Sequence, residues 1–414
     1  MIPRKRIDIG WADLAYGIGA CFVPGDREAA ARRLERSWAG ARAGLACLSV
    51  RSGLDALLGA LAFARGDEIV VSAINIRDMA RVIEAHGLVP VPVDLDMRQL
   101  ALDPRALERA ATPRARAVLV AHLYGARMPM EEIVRVARAR GLLVIEDCAQ
   151  AWTGDGWRGH PQSDVALFSF GPIKTATALA GGLLAFRDPG LRDRVRAYQE
   201  RWPVHSRWRY LARLAKYAVF VLLGARAFFT LFTAACRVLG VSHERLLAGS
   251  VRGFAGGDFF RMIRQRPSFP LLALLARRIE TYDRRLVERR IALARLARRL
   301  LPAVEVPGAQ AAEHSYWVFP IRHRAADDLV RHLARRGFDA TRGASSLAVI
   351  EPPPGREAPR EAREVLDEVL YLPVYAGMTE KDVQRLAAAI AEFEGVPAVA
   401  PVKEELDALA NRKS

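Results

Sequence analysis

Cysteine is scarce in this sequence and never clustered: Cys21, Cys47, Cys148 and Cys236 stand far apart, with no C-x-x-C pair. That spacing supports neither a zinc site nor a disulfide framework, and it fits a reducing compartment. A G-x-G-x-x-G fingerprint and a Walker A sequence are also missing, so dinucleotide and P-loop nucleotide binding are not indicated. The N-terminus, MIPRKRIDIGWADLAYG, has basic residues but neither the apolar run nor the small-residue cleavage site of a secretory signal; a cytoplasmic protein is expected. No internal repeat is visible.

What is present is an ordinary globular composition. Of 414 residues 51% are apolar and 26% charged, enough for one large core or two smaller ones, and disorder is not the default. The formal charge of +16 comes mostly from arginine. It suits an anionic partner without choosing among nucleic acid, membrane surface and phosphorylated substrate. The arginine-rich run ALLARRIETYDRRLVERRIALARLARRL (273 to 300) reads as one long helix. Its interleaved acids and the lack of a nucleic-acid motif argue against nucleic acid.

The first half alternates strand-like and helix-like patterns. LACLSV (45–50), EIVVSA (68–73), LVPVPVDLD (88–96), RAVLVAHLYG (116–125) and LLVIEDCAQ (142–150) are β-rich, with helical patterns such as LDALLGALAFA, RDMARVIEAHG and MEEIVRVARARG between them. The last two helices end at a glycine, where a C-cap is expected. Repeated β–α units imply an α/β fold with a mainly parallel sheet covered on both faces, whose ligands gather beyond the carboxyl ends of the strands.

Two of those ends carry complementary chemistry. Asp147 follows the apolar run LLVIE, and a carboxylate in a partly buried crevice needs a cationic or donor partner. Lys174 follows VALFSF, and a lysine in apolar surroundings has the lowered pKa that a Schiff-base amine requires. Thr175, Ala176, Thr177, Ala178 and Gly181 leave room for a flat ligand. Such an acid and lysine match the pyridoxal phosphate arrangement; a structural Asp with a solvated Lys is the other reading. SVRSGLDALLGAL runs from a strand through Ser52 and Gly53 into a helix, a place for an anion or simply a helix N-cap. His122 reads as a packed strand histidine, Tyr124 as site-lining or structural, Tyr316 and Trp317 as core, and Arg342 as a solvated arginine or a bidentate partner for a phosphate or carboxylate.

VIEDCAQAWTGDGWRGHPQSDVALFSFGPIK, with GDEIVVSA, HLYG and LYLPVYAGMTEKDV, resembles the DegT/StrS-type sugar aminotransferases of the fold type I pyridoxal phosphate enzymes. The similarity runs from about residue 45 to 195 and from about 272 to 393. It implies a large domain with a seven-stranded-type sheet flanked by helices and a smaller C-terminal α/β domain. By this resemblance Lys174 holds the cofactor covalently, Asp147 pairs with the pyridinium nitrogen and Gln150 sits near the ring. Ser169 and the turn Ser52, Gly53 and Leu54 hold the phosphate, and Ile76 covers the ring. The implied activity is transfer of an amino group, with glutamate the usual donor, to the keto group of a nucleotide-linked sugar; a contact with the membrane would imply a lipid-linked sugar instead. The implied assembly is a homodimer.

The sequence departs from the family pattern at three places. Leu54 stands where a threonine is usual, Asn75 and Ile76 where an aromatic covers the ring, and Phe259 where the family's N-Y-R-M segment carries an asparagine to the neighbouring subunit. An alternative reading is therefore a non-catalytic pyridoxal phosphate-binding regulatory or interaction protein of the same fold. Residues 1–195 are expected to form the arm and cofactor domain, 196–271 a helical insertion, 272–393 the small domain and 394–414 a linker and tail. The insertion is nearly continuous in apolar residues from Tyr217 to Cys236, with only Arg226 charged. Spanning a bilayer would place that arginine at the centre at a cost of about 2.5 to 3.5 kcal/mol. Two readings fit better. One is a buried helix pair at a subunit interface. The other is a peripheral contact through 207–240 at the inner membrane face, in which Phe220, Leu223, Phe228, Phe229 and Phe232 enter the interface and Arg207, Arg209, Arg213, Lys216 and Arg237 meet anionic headgroups.

Overall fold

A computed structural model describes residues 1–239, 258–343 and 346–397. The expected tail helix VKEELDALANRKS lies outside the described residues, as does the side chain of Arg237. Seven strands form the main sheet: β1 (Ala43–Cys47), β2 (Glu68–Ser72), β3 (Val89–Val93), β4 (Ala115–Ala121), β5 (Leu143–Asp147), β6 (Val165–Ser169) and β7 (Gly182–Phe186). Their order is β1-β7-β6-β5-β4-β2-β3. From β6 across to β3 all neighbours are parallel, whereas β7 runs antiparallel to both β6 and β1. The run GLLAF is too short and too uniformly apolar for periodicity to identify it, so β7 adds to the strands expected.

The sheet is buried on both faces because its strands are apolar throughout; in β4 only Arg116 is exposed. One face is covered by the helices Pro104–Ala110 and Glu131–Ala139. Helix α2 (Val50–Leu61), with the helices Arg77–Ala85 and Pro189–Gln199, covers the other. Gly87 and Gly141 adopt φ of +74° and +66° just past two of these helices, where the C-caps were expected.

The C-terminal part has its own core, built from the antiparallel pair Phe319–Arg322 and Val369–Leu372 and from helices that include Arg285–Leu300 and Glu380–Glu394. The helix expected over 273–300 is in fact two, α5 (Phe269–Glu280) and Arg285–Leu300. The reason is local: the Thr281 hydroxyl donates to the Arg277 carbonyl (2.8 Å) and Asp283 Oδ1 accepts from the Arg285 amide (3.0 Å), so polar side chains satisfy both helix ends. A short strand, Leu347–Val349, pairs with Ile74–Ile76 and joins this part to the strand-end region of the main sheet.

Helix α1 (Trp11–Phe22) packs against α3 (Arg207–Leu223) and α5. Helix α4 (Arg226–Val238) leaves α3 at 92°. Among the described residues no single helix is long and apolar enough to cross a membrane, though the bent pair passes that test together. The apolar face expected for this segment is corrected: Phe229 is buried and Phe220, Leu223 and Phe232 are half-buried, so of those five only Phe228 is exposed. The helices turn Tyr210, Leu214 and Tyr217 inward against α1 and α5, and present Trp208, Val219, Leu222 and Leu231 instead.

Candidate active site

The loop after β6 is fixed by unusually many bonds. Ala176 and Leu179 adopt φ of +51° and +64°, a left-handed backbone that costs non-glycine residues roughly 1 kcal/mol or more each. The surroundings hold them there. Thr177 Oγ1 donates to the Phe170 and Gly171 carbonyls (3.0 and 2.6 Å) and accepts from the Leu179 amide (2.8 Å). Asp8, from the N-terminal arm, accepts from the Ala176 amide (2.8 Å). From α3, the Tyr210 hydroxyl donates to the Ala178 carbonyl (2.7 Å) and Arg213 to the Leu179 carbonyl (3.1 Å). The insertion thus reaches the lysine loop, a connection that no sequence pattern signals.

Lys174 is partly buried, with Nζ 3.9 Å from the centroid of the Trp317 indole. Burial pushes its pKa down to about 7; the Asp147 carboxylate opposes this and the Arg51 guanidinium adds to it. A second lysine shares the same ring. Lys5 Nζ lies 4.1 Å from the indole centroid and donates to the Ile173 carbonyl (2.8 Å), which also accepts from Trp317 Nε1 (2.9 Å). Burial, with Arg290 and Lys174 nearby, holds Lys5 well below an ordinary lysine. Of six lysines in the sequence, two therefore face one indole. Trp317, expected in the core, is buried but forms a wall of the site. Lys5 and Trp317 were missed because one lies in an irregular arm and the other looks like a strand residue.

Asp147 ends β5, directly beside β4 and β6. Burial raises its pKa; the Ala149 amide, donating to Oδ1 (3.0 Å), and then Lys174, His122 and Arg51 work in the other direction. Among the described residues Oδ2 accepts no hydrogen bond, so it is open to a donor on a ligand. A protonated pyridine nitrogen is a cationic N–H donor of the kind this oxygen lacks, so Asp147 and Lys174 fit pyridoxal phosphate. Gln150 is half-buried and its Oε1 accepts from the Tyr124 amide (2.8 Å), which leaves its NH₂ as a donor.

The turn expected to hold an anion, Ser52 to Leu54, lies inside the first turns of α2. Ser49 is the N-cap of α2, its hydroxyl accepting from the Ser52 amide (3.2 Å) and lying 2.9 Å from Ser52 Oγ. The amides of Val50 and Arg51 at the helix start have no intrahelical acceptor and meet an anion best. Gly53 instead donates to the Ser49 carbonyl (3.0 Å), and a Cβ on it would lie 2.5 Å from Leu184, so it permits close helix–sheet packing. Leu54 is buried in the core and its side chain has no route to a phosphate, which corrects that expectation. Ser169, at the end of β6, is half-buried with its hydroxyl 3.5 Å from the Gly171 amide. Ile76 is half-buried at the junction of its strand with the helix Arg77–Ala85, opposite Leu347. Phe259 packs inside this chain's own core beneath Arg81.

Other weighed residues are structural. His122 accepts from the Met128 amide at Nδ1 (2.9 Å), so its Nε2–H donates to Glu146 (2.9 Å). Cys148 joins these two in a buried cluster whose ligand atoms lie within 4.8 Å of one another, yet the histidine and carboxylate are satisfied by each other and by backbone. Tyr124 is fully buried and packs edge-on to Tyr371 at 6.0 Å. Arg342 is tied to Asp327 (3.2 Å) and the Asp367 carbonyl, away from the lysine loop.

The model of the DegT/DnrJ/EryC1/StrS aminotransferase family matches residues 23–222. GDP-perosamine synthase of Caulobacter vibrioides is 28% identical over 366 residues, 85% of this chain and 86% of that protein. UDP-N-acetyl-3-dehydro-alpha-D-glucosamine 3-aminotransferase of Acidithiobacillus ferrooxidans is 32% identical over 204 residues, 47% of this chain and 54% of that protein. The crystal structure of the aminotransferase TlmJ from Streptoalloteichus hindustanus matches with a TM-score of 0.68 at 22% identity, covering 95% of this chain and 99% of that one, a likeness of fold. With the lysine and the aspartate in place at neighbouring strand ends, the family model over residues 23–222 and the likeness to GDP-perosamine synthase over most of both chains mark this chain as similar to the DegT/DnrJ/EryC1/StrS aminotransferases and support an enzyme of the sugar aminotransferase type.

Proposed function

We propose that this enzyme uses pyridoxal phosphate to move an amino group from glutamate to the keto carbon of a nucleotide-linked sugar. The observation that carries the reading is the juxtaposition of Lys174, held near neutrality, with the carboxylate of Asp147, whose Oδ2 accepts no hydrogen bond among the described residues. The sugar nucleotides in the names of two relatives, a GDP-sugar and a UDP-sugar, support the substrate class. When bound, pyridoxal phosphate supplies an electron sink that carries the amino group between donor and acceptor.

The residues divide the remaining work. Lys174 Nζ would hold the cofactor, and as a free amine would take the proton from the donor's Cα and return one to the acceptor carbon; a pKa near 7 suits an amine that must do both. Asp147 Oδ2 holds the proton on the ring nitrogen. The first-turn amides of α2, with Ser169, bind the phosphate, and Trp317 keeps water from one side of Lys174. Residues 1–195 act in this reading as the cofactor domain and 272–393 as the smaller domain of a homodimer. The test is to load the protein with cofactor, add glutamate, and then offer a panel of dTDP-, GDP- and UDP-linked keto sugars with mass detection of the amino sugar. A spectral response to glutamate with one panel member aminated supports the proposal. No spectral response to any amino donor in fully loaded protein contradicts it.

A further inference from the structure

Eleven of the fourteen large apolar side chains exposed among the described residues fall on α1, α3, α4 and the residues that directly follow α1 and α4, so the exposure is a face and not a scatter. Phe22 and Trp208 join α1 to α3 in an edge-on ring contact at 5.7 Å. Leu222, Phe228 and Leu231 continue the face across the bend, and Leu231 is 67% exposed. An exposed apolar face on adjoining helices marks an interaction surface.

Charge selects the partner. Residues 201–239 contain seven lysines and arginines and not one aspartate or glutamate, and Arg209 and Lys216 stand exposed on α3 itself. A second copy docking by the same face would set these cations against each other, which an isologous interface cannot avoid. Nucleic acid would match the charge but would not reward burying tryptophan and leucine at the surface. Acidic phospholipid meets both, with headgroups for the cations and acyl chains for the apolar side chains. The pair does not form a straight span: the helices diverge by 92°, and Arg226 at the break is held by Asp382 of the C-terminal part.

We propose that the outer face of α3 and α4, with the end of α1, docks on the surface of an anionic lipid bilayer without crossing it. The inner face of the same helix bonds the lysine loop through Tyr210 and Arg213, so the helix that docks is also one that supports that loop. The proposal stands whether or not the amino-group chemistry is as read above.

Full-length, cofactor-loaded protein is sedimented with phosphatidylcholine vesicles and with vesicles that also contain phosphatidylglycerol. Binding to the anionic vesicles is expected to be about tenfold tighter or more, and to weaken as salt is raised. Arg209→Gln should lose about fivefold, and the double variant Leu222→Glu/Leu231→Glu should bind no vesicles while keeping its cooperative melting and its cofactor absorbance. If that double variant does not fold, Arg209→Gln and the salt titration decide. Equal binding to both vesicle types, or binding indifferent to salt and to Arg209→Gln, overturns the proposal. So does a dimer that Leu222→Glu/Leu231→Glu breaks in protein that never binds vesicles, since the face would then belong to a second copy.

Discussion

On its inner side α3 gives a tyrosine hydroxyl and an arginine guanidinium to carbonyls of the lysine loop, whereas on its outer side it presents Trp208, Val219 and Leu222 to solvent. The inner side obeys the rule of a buried polar group, with each donor matched to an acceptor. The outer side leaves apolar surface uncovered, worth about 25 cal/mol for each Å² that a partner would bury. One helix thus couples a rigid site, where strained backbone at Ala176 and Leu179 is held by bonds from three directions, to a face exposed to solvent.

The contrast can be broken from the inside first. Lys174→Ala should lower transamination by about 10³-fold or more, because the proton-transfer group and the covalent anchor are lost together; turnover of glutamate with the sugar acceptor measures it. Asp147→Asn should cost about 10²-fold, mainly in kcat with little change in cofactor occupancy, since a neutral amide no longer stabilises the charged ring nitrogen. Tyr210→Phe removes one bond from the insertion to the loop and should cost about 1 kcal/mol of stability. Faster amide exchange over residues 175–181 would locate the effect, and unchanged exchange there would separate α3 from the site.

The smallest expected effect concerns pH. In cofactor-free protein Lys174 should react with a carbonyl reagent along a titration curve with its midpoint near pH 7, the neutral amine being the reactive form. The Arg51 cation disfavours a proton on Lys174, so Arg51→Gln should move that midpoint upward. Because the folded pKa lies below that of the unfolded chain, the unfolded state binds more protons between about pH 7 and the ordinary lysine range. Lys174 therefore favours unfolding at pH 7 and below, and that penalty is relieved as pH rises across this window. A lysine reacting only above pH 9 would deny the buried setting.

Much of the site was legible because it lies where α/β sheets place ligands. Asp147 and Lys174 follow apolar strands whose ends could be read directly, and both stand where expected. The helix start is less legible: Ser52–Gly53 looks like a strand-to-helix junction, but Ser49 caps the helix three residues earlier and Leu54 turns into the core. Strand β7 and the break at 281–284 escaped because each depends on local context, an apolar run without period in one case and competing side-chain caps in the other. Lys5, Trp317 and Tyr210 could not be found at all from sequence, since each reaches the lysine loop from a distant segment by a contact that only folding creates.

The central claim is that Lys174 carries the cofactor, and borohydride reduction of the loaded protein followed by peptide mass mapping tests it most directly. Lys5 makes the test demanding, because it lies on the same indole and is also held below an ordinary lysine. One pyridoxyl adduct is expected, on Lys174, absent from Lys174→Ala. An adduct on Lys5, or none in protein saturated with pyridoxal phosphate, would contradict it.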